Sequence, residues 1–377
     1  MSKKLHIALL FGGNSSEHDV SKRSAHNIYD AMSKDKYDVS LFMFTKEGYL
    51  LNHEYSKRIF DGEDEDAVVD EYMKTIDVSD PLSNIKALSS VKNIDLFYPV
   101  IHGNLGEDGT IQGLFKLLNK PYVGSNVLSS AMAFDKDITK RILNEAGIRN
   151  TKYILVTDDT VDSISYTEAA HQLGSTMFIK PANQGSSVGI HKVNNEEEFD
   201  EALKDAFQYD YKVLVEECIN NPQEIEISIL GNENPKTSKL GAVVVPKEDQ
   251  FYTYDNKFVD ASGVVFELPI KLDKVLTNEI TDMSLRAYKA LGLKGLARID
   301  FLVSEDGVPY LGEPNTLPGF TNISLYPQMW EVSGIDYSTL IDKIIEYALA
   351  EFERNSKISH AFTSLGKEKV GTKNYNE

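Results

Sequence analysis

The sequence of 377 residues has little cysteine, little tryptophan and no long apolar run. Its one thiol, Cys218, excludes an internal disulfide framework and fits a reducing compartment, so we expect a cytoplasmic protein. No stretch is apolar over the roughly 20 residues that a membrane helix needs, and the basic, glycine-containing start lacks the pattern of a signal peptide. Acidic residues outnumber lysine and arginine, and the net charge of −19 argues against nucleic acid and anionic membranes as partners.

The remaining composition is that of an ordinary globular chain, with 41% hydrophobic and 26% charged residues. The length favours two or three domains. Residues 5–11 predict a buried parallel strand, followed by a glycine-rich turn over 12–21 and a helix. α/β units bind small anions with this order of elements, although the spacing is not the G-x-G-x-x-G of dinucleotide folds. Glu17 lies in the turn, where the helix dipole alone would favour an acid.

Two predicted strands near the end of the chain carry polar residues two positions apart. Arg298 and Asp300 share one face of the first strand, and Glu313 and Asn315 share one face of the second, because side chains alternate across a strand. If the strands are neighbours, their oxygen ligands meet on one face and suit Mg²⁺. The alternative is an exposed polar sheet face without a ligand.

A strand–loop–strand pattern over residues 177–193 has small residues at its tip. The backbone N–H groups of Gly185, Ser186 and Ser187 could fold over phosphates as a flap, and Lys180 supplies a positive charge. A P-loop is excluded, because it needs a helix after the loop and a G-K-[ST] sequence. The alternative is a mobile hairpin tip.

Other polar candidates lie within or at the ends of predicted elements. His102 lies at the carboxyl end of a buried strand, where open α/β sheets bind ligands, although a lone histidine there could be structural. Lys136 lies within a single helix predicted over residues 129–147, where a surface lysine is usually only solvated. Glu216 and Glu217 close another predicted strand.

The longer polar segments receive simpler interpretations. Residues 52–92 are expected to be irregular, and the acidic run 61–72 is interpreted as a solvated surface insertion. The aromatic and charged stretch 246–262 is too long for an ordinary connection and is interpreted as a functional loop. Residues 337–355 predict an amphipathic helix that closes the fold, and residues 356–377 predict a flexible polar tail.

These stretches, in this order, resemble the D-alanine–D-alanine ligase family of the ATP-grasp superfamily. The motifs that carry the resemblance are 12-GGNSSEHDVS-21, 102-HGNLGEDGTIQG-113, 180-KPANQGSSVG-189, 297-ARID-300 and 313-EPNTLPGFT-321. Each motif alone is weak, whereas five in the family's order are specific. The resemblance spans roughly residues 5–350.

The resemblance implies an α/β fold with the three-domain ATP-grasp architecture. The nucleotide is then held between the central and C-terminal domains. The expected ranges are an N-terminal α/β domain with the first-substrate site over 1–124, a central ATP-grasp domain over 125–217, a C-terminal catalytic domain over 218–355 and the tail over 356–377.

The resemblance also implies ATP and two Mg²⁺ or Mn²⁺ ions as cofactors. Asp300, Glu313 and Asn315 match the metal ligands, and the ions would bridge the β- and γ-phosphates. Glu217 stands where some members have lysine, which leaves its role open, although an acid can still bind an adenine amino group or a ribose hydroxyl. The nucleotide-binding positions are Lys136, Lys180, Ser187, Glu216, Glu217, Ile219, Glu224 and Leu302.

Catalytic and specificity residues follow from the same resemblance. Glu17 matches the residue that receives the ammonium group of the first D-alanine, and Ser186 matches its hydrogen-bonding partner. Arg298 and the Gly319 N–H match the oxyanion hole, and Lys257 is a catalytic position in the long functional loop. The specificity positions are His102, Phe258 and the residues at the second substrate's carboxylate, Ser324 and Leu325.

Phe258 is a departure from the family pattern. The family loop resembles D-Y-x-x-K-Y, whereas this chain has 253-TYDNKFVD-260, so a phenylalanine that cannot form a hydroxyl hydrogen bond replaces a tyrosine. The family pattern associates phenylalanine with ligases that make D-alanyl-D-lactate and support glycopeptide (vancomycin) resistance. We therefore expect D-alanine and D-lactate as substrates, although one neutral hydrogen bond accounts for only about a tenfold preference.

The expected reaction passes through a D-alanyl phosphate that a second nucleophile attacks, in the synthesis of peptidoglycan precursors. This acyl phosphate hydrolyses easily, so the long functional loop is expected to close as a lid. The alternative within the same fold is a D-alanine–D-alanine ligase that makes the dipeptide. An alternative of another class is a non-catalytic nucleotide-binding regulator, which would leave Arg298 unexplained. A homodimer is the expected assembly.

Overall fold

The computed structural model describes residues 3–244 and 265–359 and shows three β-sheets in these residues, each packed against helices. The described strands are β1 (Leu5–Gly12), β2 (Tyr37–Phe44), β3 (Leu96–Pro99), β4 (Tyr153–Thr157), β5 (Met177–Pro181), β6 (His191–Val193), β7 (Lys212–Glu217), β8 (Gln223–Leu230), β9 (Lys236–Thr237), β10 (Gly241–Val244), β11 (Val265–Glu267), β12 (Leu296–Val303) and β13 (Pro309–Asn315).

The described helices include the predicted closing helix as the last of the series. They are α1 (His18–Ala31), α2 (His53–Phe60), α3 (Glu65–Met73), α4 (Ser83–Leu88), α5 (Thr110–Leu117), α6 (Val127–Phe134), α7 (Lys136–Glu145), α8 (Tyr166–Leu173), α9 (Glu196–Ala206), α10 (Lys274–Ala290), α11 (Leu325–Val332) and α12 (Tyr337–Ser356), with a 3₁₀ helix at Val161–Ser163. No helix in the described ranges combines the length and hydrophobicity needed to cross a bilayer.

The N-terminal sheet has the parallel order β2-β1-β3 and confirms the predicted buried strand. Alternate residues of β1 enter two different cores. Ile7, Leu9 and Phe11 pack into a core that also contains residues of α12, whereas Ala8 and Leu10 pack on the opposite face. A parallel strand covered on both faces is typical of α/β proteins, and β1 ends at Gly12, where the glycine-rich turn over residues 12–21 begins.

Two antiparallel sheets follow. The middle sheet has the order β4-β7-β5-β6, and its core includes residues of α8 and α9. The C-terminal sheet has the order β11-β10-β8-β12-β13, with β9 paired to β8, and it packs on α10. Ala133 of α6 and Leu143 of α7 join the core of this C-terminal sheet. The exact domain ranges stay a prediction.

The prediction of a single helix over residues 129–147 is wrong. The segment forms two helices, α6 and α7, that break at Asp135. Asp135 has an extended backbone, and its side chain accepts a hydrogen bond from the Ile138 N–H at 3.1 Å, which starts the second helix. The break places Lys136 at the first position of α7 instead of the middle of a helix.

The irregular structure expected over residues 52–92 is also wrong, because α2, α3 and α4 occupy much of it. The side chains of Asn52 and Asp64 cap the first two of these helices. Val68 and Tyr72, inside the acidic run, are buried in the core of the N-terminal sheet. The interpretation as a solvated surface therefore describes only the outer face of this insertion.

Candidate active site

The predicted pairing of the two polar strands is confirmed. β12 and β13 are antiparallel neighbours, with Arg298 opposite Asn315 and Asp300 opposite Glu313. Ile299, between the two polar residues of β12, is fully buried on the other face. The alternation therefore collects one guanidinium, two carboxylates and one amide on the partly exposed face of the C-terminal sheet.

Arg298 is held by carboxylates on two strands. Its guanidinium makes two hydrogen bonds of 2.8 Å to the two oxygens of Asp300, and its Nε lies 3.0 Å from Glu226 Oε2 on β8. Burial lowers the pKa of Arg298, but the charges of Asp300 and Glu226 more than offset this and raise it well above its ordinary value. The result is a permanent, oriented cation suited to stabilising an anion.

The residues predicted to bind metal fit a hard cation. The Oδ1 atom of Asn315 is buried and has no hydrogen-bond partner among the described residues, and leaving such an atom unsatisfied costs about 1–3 kcal/mol. Asp300 keeps lone pairs beyond those used by Arg298, and the Glu313 side chain is 49% exposed. Carboxylate and amide oxygens are the ligands that Mg²⁺ takes from proteins, together with substrate phosphates.

Lys136 connects this strand pair to the predicted flap, residues 182–190 between β5 and β6. Its Nζ donates a hydrogen bond to the Gln184 carbonyl and lies 3.8 Å from Glu313 Oε2. At the tip, Ser186 and Ser187 have φ values of 53° and 62°, in the left-handed region that L-residues seldom adopt. The Oγ of Ser186 is buried without a hydrogen-bond partner among the described residues. Strain and an unsatisfied hydroxyl at one tip are typical of a ligand site.

A buried charge network lies under the flap. Glu216 Oε2 lies 3.0 Å from Lys180 Nζ, and Glu216 Oε1 lies 3.4 Å from Lys140 Nζ. Thr151 donates a hydrogen bond of 3.1 Å to the same carboxylate. Burial raises the pKa of Glu216, but Lys140 and Lys180 outweigh it and lower the pKa to about 2. Glu216 is thus a carboxylate that fixes Lys180.

The other nucleotide-binding predictions lie at the edges of this region. Leu302 stands opposite Glu224 in the β12–β8 register, on the same partly exposed face as the residues predicted to bind metal. Ile219 follows the end of β7. Glu217 differs, because its carboxylate accepts the backbone N–H of Lys152 at 2.7 Å. This bond ties its side chain to the start of β4.

Side chains near the N-terminal sheet hold the first flank of the Gly319 loop, residues 316–321. His102 Nδ1 donates to the carbonyl of Leu317 at 2.8 Å, and Glu107 accepts the Leu317 N–H at 3.3 Å. The other Glu107 oxygen accepts the Gly103 N–H at 2.8 Å. Burial lowers the pKa of His102, which favours the neutral ring that makes this bond. His102 and Glu107 therefore fix both backbone groups of one residue, two positions before Gly319.

Helix α1 holds the second flank of the same loop. Ser24 Oγ accepts the Phe320 N–H at 3.1 Å, and Asn27 Nδ2 donates to the Phe320 carbonyl at 2.9 Å. A side chain at Gly319 would place its Cβ 2.8 Å from the Ser324 Oγ, which explains why glycine is needed there. Ser324 precedes α11 and the buried Leu325. The loop is thus fixed on both sides of the predicted oxyanion-hole N–H.

Glu17 faces the flap from the end of the N-terminal sheet. Its Oε1 lies 3.9 Å from where a Cβ on Gly185 would be, next to Ser186. Burial, together with the charge of Glu17, raises the pKa of Glu107 to about 7. The charge of Arg298 in turn lowers the pKa of His102. Glu17 therefore lies near Glu107, and Arg298 near His102, which agrees with the predicted grouping of these residues.

The sequence interpretation missed three residues of this site. Lys140 lies one helical turn after Lys136, a spacing that places both on one face of a helix and was a usable signal. Glu107 stands in the motif 102–113 but was not singled out. Glu226 is one of the alternating polar residues of β8, and no local pattern distinguished it. Lys257 and Phe258 lie outside the described residues.

Family models match both parts of the chain around this cleft. The model described as "D-ala D-ala ligase N-terminus" matches residues 6–125, and the model described as "D-ala D-ala ligase C-terminus" matches residues 142–346. The chain belongs to the D-alanine–D-alanine ligase family. Members of this family are ATP-dependent, ADP-forming ligases, so the expected enzyme class is confirmed.

The names of individual relatives agree with the family that the models identify. The D-alanine–D-alanine ligase of Limosilactobacillus reuteri is 70% identical over 377 residues and covers 100% of both chains. The solved D-alanine–D-alanine ligase of Coxiella burnetii is 33% identical with a TM-score of 0.77, over 94% of this chain and 98% of that one. The Bacillus anthracis ligase solved as a complex with ATP is 28% identical with a TM-score of 0.72, over 93% and 99% of the two chains. The expected ATP-grasp fold is confirmed.

The expected preference for D-lactate is wrong, and antibiotic resistance does not follow either. Relatives that are 63–70% identical are all named D-alanine–D-alanine ligase. The expectation rested on Phe258 alone. The physical reason for the error is that a neutral hydrogen bond is worth only about 0.5–1.5 kcal/mol. This free energy is too small to determine which nucleophile the enzyme accepts.

Replacing Lys140 with methionine should destabilise the protein by about 3–5 kcal/mol, because it leaves the buried Glu216 carboxylate without one of its two cations. Urea unfolding of the variant and the unmodified protein measures this. Lys152→Met, at an exposed lysine next to the same network, is the matched control. Equal effects of the two substitutions would contradict the assignment.

Glu107→Gln should remove a pH dependence of stability. The folded-state pKa of about 7 is higher than the ordinary 4.5, so the proton stabilises the folded state below pH 4.5 and this contribution is lost as the pH rises through 7. Relative to the variant, the unmodified protein should lose about 2 kcal/mol of unfolding free energy between pH 5 and pH 8. Urea unfolding at both pH values measures the difference, with Glu145→Gln, at an exposed position, as control. A difference that stays constant with pH would refute the assignment.

Proposed function

We propose that this protein joins two molecules of D-alanine into D-alanyl-D-alanine, with conversion of ATP to ADP and phosphate, for the synthesis of peptidoglycan precursors. The observation that carries the proposal is the Arg298 guanidinium, oriented beside Asp300, Glu313 and Asn315. A chain that is 70% identical and named D-alanine–D-alanine ligase supports D-alanine as the substrate.

The middle and C-terminal sheets would hold ATP between them. Lys136 and Lys180 supply positive charge on the flap side, and Glu216 keeps Lys180 in position. Asp300, Glu313 and Asn315 would hold Mg²⁺, which neutralises charge on the phosphates when it is bound. The buried, unpartnered Asn315 Oδ1 supports this assignment. Nucleotide contacts of Ser187, Glu217, Ile219, Glu224 and Leu302 stay predictions.

The first chemical step would activate a carboxylate, which is a poor acyl donor. Glu17 would receive the ammonium group of the first D-alanine, and the Ser186 hydroxyl would complete that contact. The carboxylate oxygen of this D-alanine attacks the γ-phosphorus of ATP, ADP leaves, and a D-alanyl phosphate results. The closeness of Glu17 to Gly185 supports a first-substrate site at the flap tip.

The second step would form the peptide bond. The amino group of the second D-alanine, after losing a proton, attacks the acyl carbon, and phosphate leaves with its bonding electrons. Arg298 and the Gly319 N–H would stabilise the oxyanion of the tetrahedral intermediate. Ser324, at the N-terminus of α11, and Leu325 would bind the second carboxylate, because a helix N-terminus attracts anions.

Some expectations concern residues or an assembly that the structure does not describe. The lid role of residues 246–262, with Lys257 and Phe258, stays a prediction from the family resemblance. The homodimer stays a prediction on the same basis. His102 acts on the Gly319 loop through its bond to Leu317, which supports a positioning role rather than direct contact with the substrate.

A product assay tests the proposed function. Incubation with ATP, Mg²⁺ and D-alanine alone should release ADP and D-alanyl-D-alanine in equal amounts, measured by a coupled ADP assay and mass spectrometry. Added D-lactate should not be needed for turnover. Absence of ADP release with D-alanine as the only acceptor would exclude the proposal.

Arg298→Lys tests the oxyanion role. Lysine keeps a positive charge but loses the two-pronged contact with Asp300, so kcat should fall about a hundredfold, as for other oxyanion-hole donors. The KM for ATP should change little. Arg23→Lys, at an exposed arginine, is the control. If both variants kept the unmodified kcat, Arg298 would have no catalytic role.

A further inference from the structure

His18 follows Glu17 directly and is almost fully buried, with 2% of its surface exposed. Its Nδ1 lies 2.9 Å from the Gly13 carbonyl oxygen, and its Nε2 lies 2.8 Å from Glu65 Oε1. Both ring nitrogens of His18 thus lie within hydrogen-bonding distance of an oxygen atom. His18 therefore ties the first-substrate turn to α3 through two hydrogen bonds.

Glu65 belongs to the acidic run that the sequence analysis interpreted as a solvated surface. It begins α3, and its side chain is only 18% exposed. It also pairs with Lys22, one turn further along α1 than His18. The hydrogen bond from His18, together with Lys22 and against the effect of burial, lowers the pKa of Glu65 to about 2. One carboxylate of the insertion therefore contacts two side chains of α1.

A metal ion does not explain this cluster. Ligand atoms of His18, Asp19 and Glu65 lie within 4.8 Å of one another. However, the Lys22 ammonium contacts Glu65 and lies 3.4 Å from Asp19 Oδ1. A lysine therefore already supplies the positive charge that these carboxylates share, and both ring nitrogens of His18 are used. The arrangement is that of a structural clasp between α1 and α3.

The clasp acts on the turn that carries Glu17. A buried ion that loses its partner is strongly destabilising, and Lys22 is the charged partner of the Glu65 carboxylate near the start of α1. The Gly13 N–H also donates to the Phe44 carbonyl at 3.0 Å, so β2 holds the N–H of Gly13 while His18 holds its carbonyl. Glu17 lies between Gly13 and His18 in the sequence, and both of these residues are anchored.

We propose that Glu65 is a positioning residue for the first-substrate site. By holding His18 and Lys22, it fixes the turn from Gly13 to Glu17, and with it the carboxylate that receives the ammonium group of the first D-alanine. This inference rests on the proposed function, because it assigns Glu17 to that substrate. It gives the acidic insertion a role in substrate binding without direct contact with the substrate.

The test uses the full-length enzyme with Glu65→Ala and Glu65→Gln. Glutamine keeps an acceptor for His18 but loses the charge, so it should have an intermediate effect. Glu71→Gln is the matched control, since Glu71 lies in the same insertion and pairs with Arg58 on the surface. D-Alanine saturation curves separate the apparent KM values of the two D-alanine molecules, and a melting temperature for each variant reports its stability.

Glu65→Ala should raise the apparent KM for the first D-alanine about tenfold, as expected for a lost charge-assisted hydrogen bond. The KM for ATP and for the second D-alanine should stay unchanged, and Glu71→Gln should match the unmodified enzyme. An unchanged KM for the first D-alanine would contradict the positioning role. So would a general loss, in which all kinetic parameters worsened together with a lower melting temperature. If Glu65→Ala does not fold, the same comparison with Glu65→Gln decides. An unmodified enzyme without D-alanine-dependent ADP release would instead contradict the proposed function.

Discussion

The central constraint in this structure is the charge balance around the Arg298 guanidinium. A cation with a side chain only 20% exposed would be costly if it were unpaired. Asp300 on the same strand and Glu226 on the next strand offset that cost and also prevent rotation of the guanidinium. Glu313 and Asn315 lie on the same face, and the buried Asn315 Oδ1 has no hydrogen-bond partner among the described residues. The strand register that stabilises the sheet thus also organises the polar face that carries the residues of the proposed site.

The cleft is completed by contacts between distant parts of the chain. The Gly319 loop belongs to the last third of the sequence, yet His102, Glu107, Ser24 and Asn27 hold it from the first third. An N–H that stabilises an oxyanion must be in place before the charge develops, because reorganisation during the reaction would raise the barrier. Fixing both neighbouring peptides provides that order without requiring a side chain at the glycine itself.

Local patterns predicted the parts of this site that depend on local periodicity. The alternation in β12 and β13 identified Arg298 and its partners correctly because strand geometry has a period of two. Glu107 escaped notice because its partner, Leu317, is 210 residues away. The helix break at Asp135 was missed because an aspartate in a continuous apolar pattern is also compatible with an exposed helical position. Glu65 was misread for a related reason, since only the fold brings His18 against an acidic run.

Substrate preference depends on the whole cleft more than on any single side chain. A change from tyrosine to phenylalanine removes one neutral hydrogen bond and shifts a preference by about tenfold. In the proposed reaction, by contrast, the second nucleophile would meet the environment made by Ser324, Leu325, the Gly319 loop and the residues that hold that loop. A relative that is 70% identical over the full length is similar across the whole chain. Such similarity therefore outweighs an inference from Phe258, because the free energy that separates two nucleophiles is a sum over many contacts.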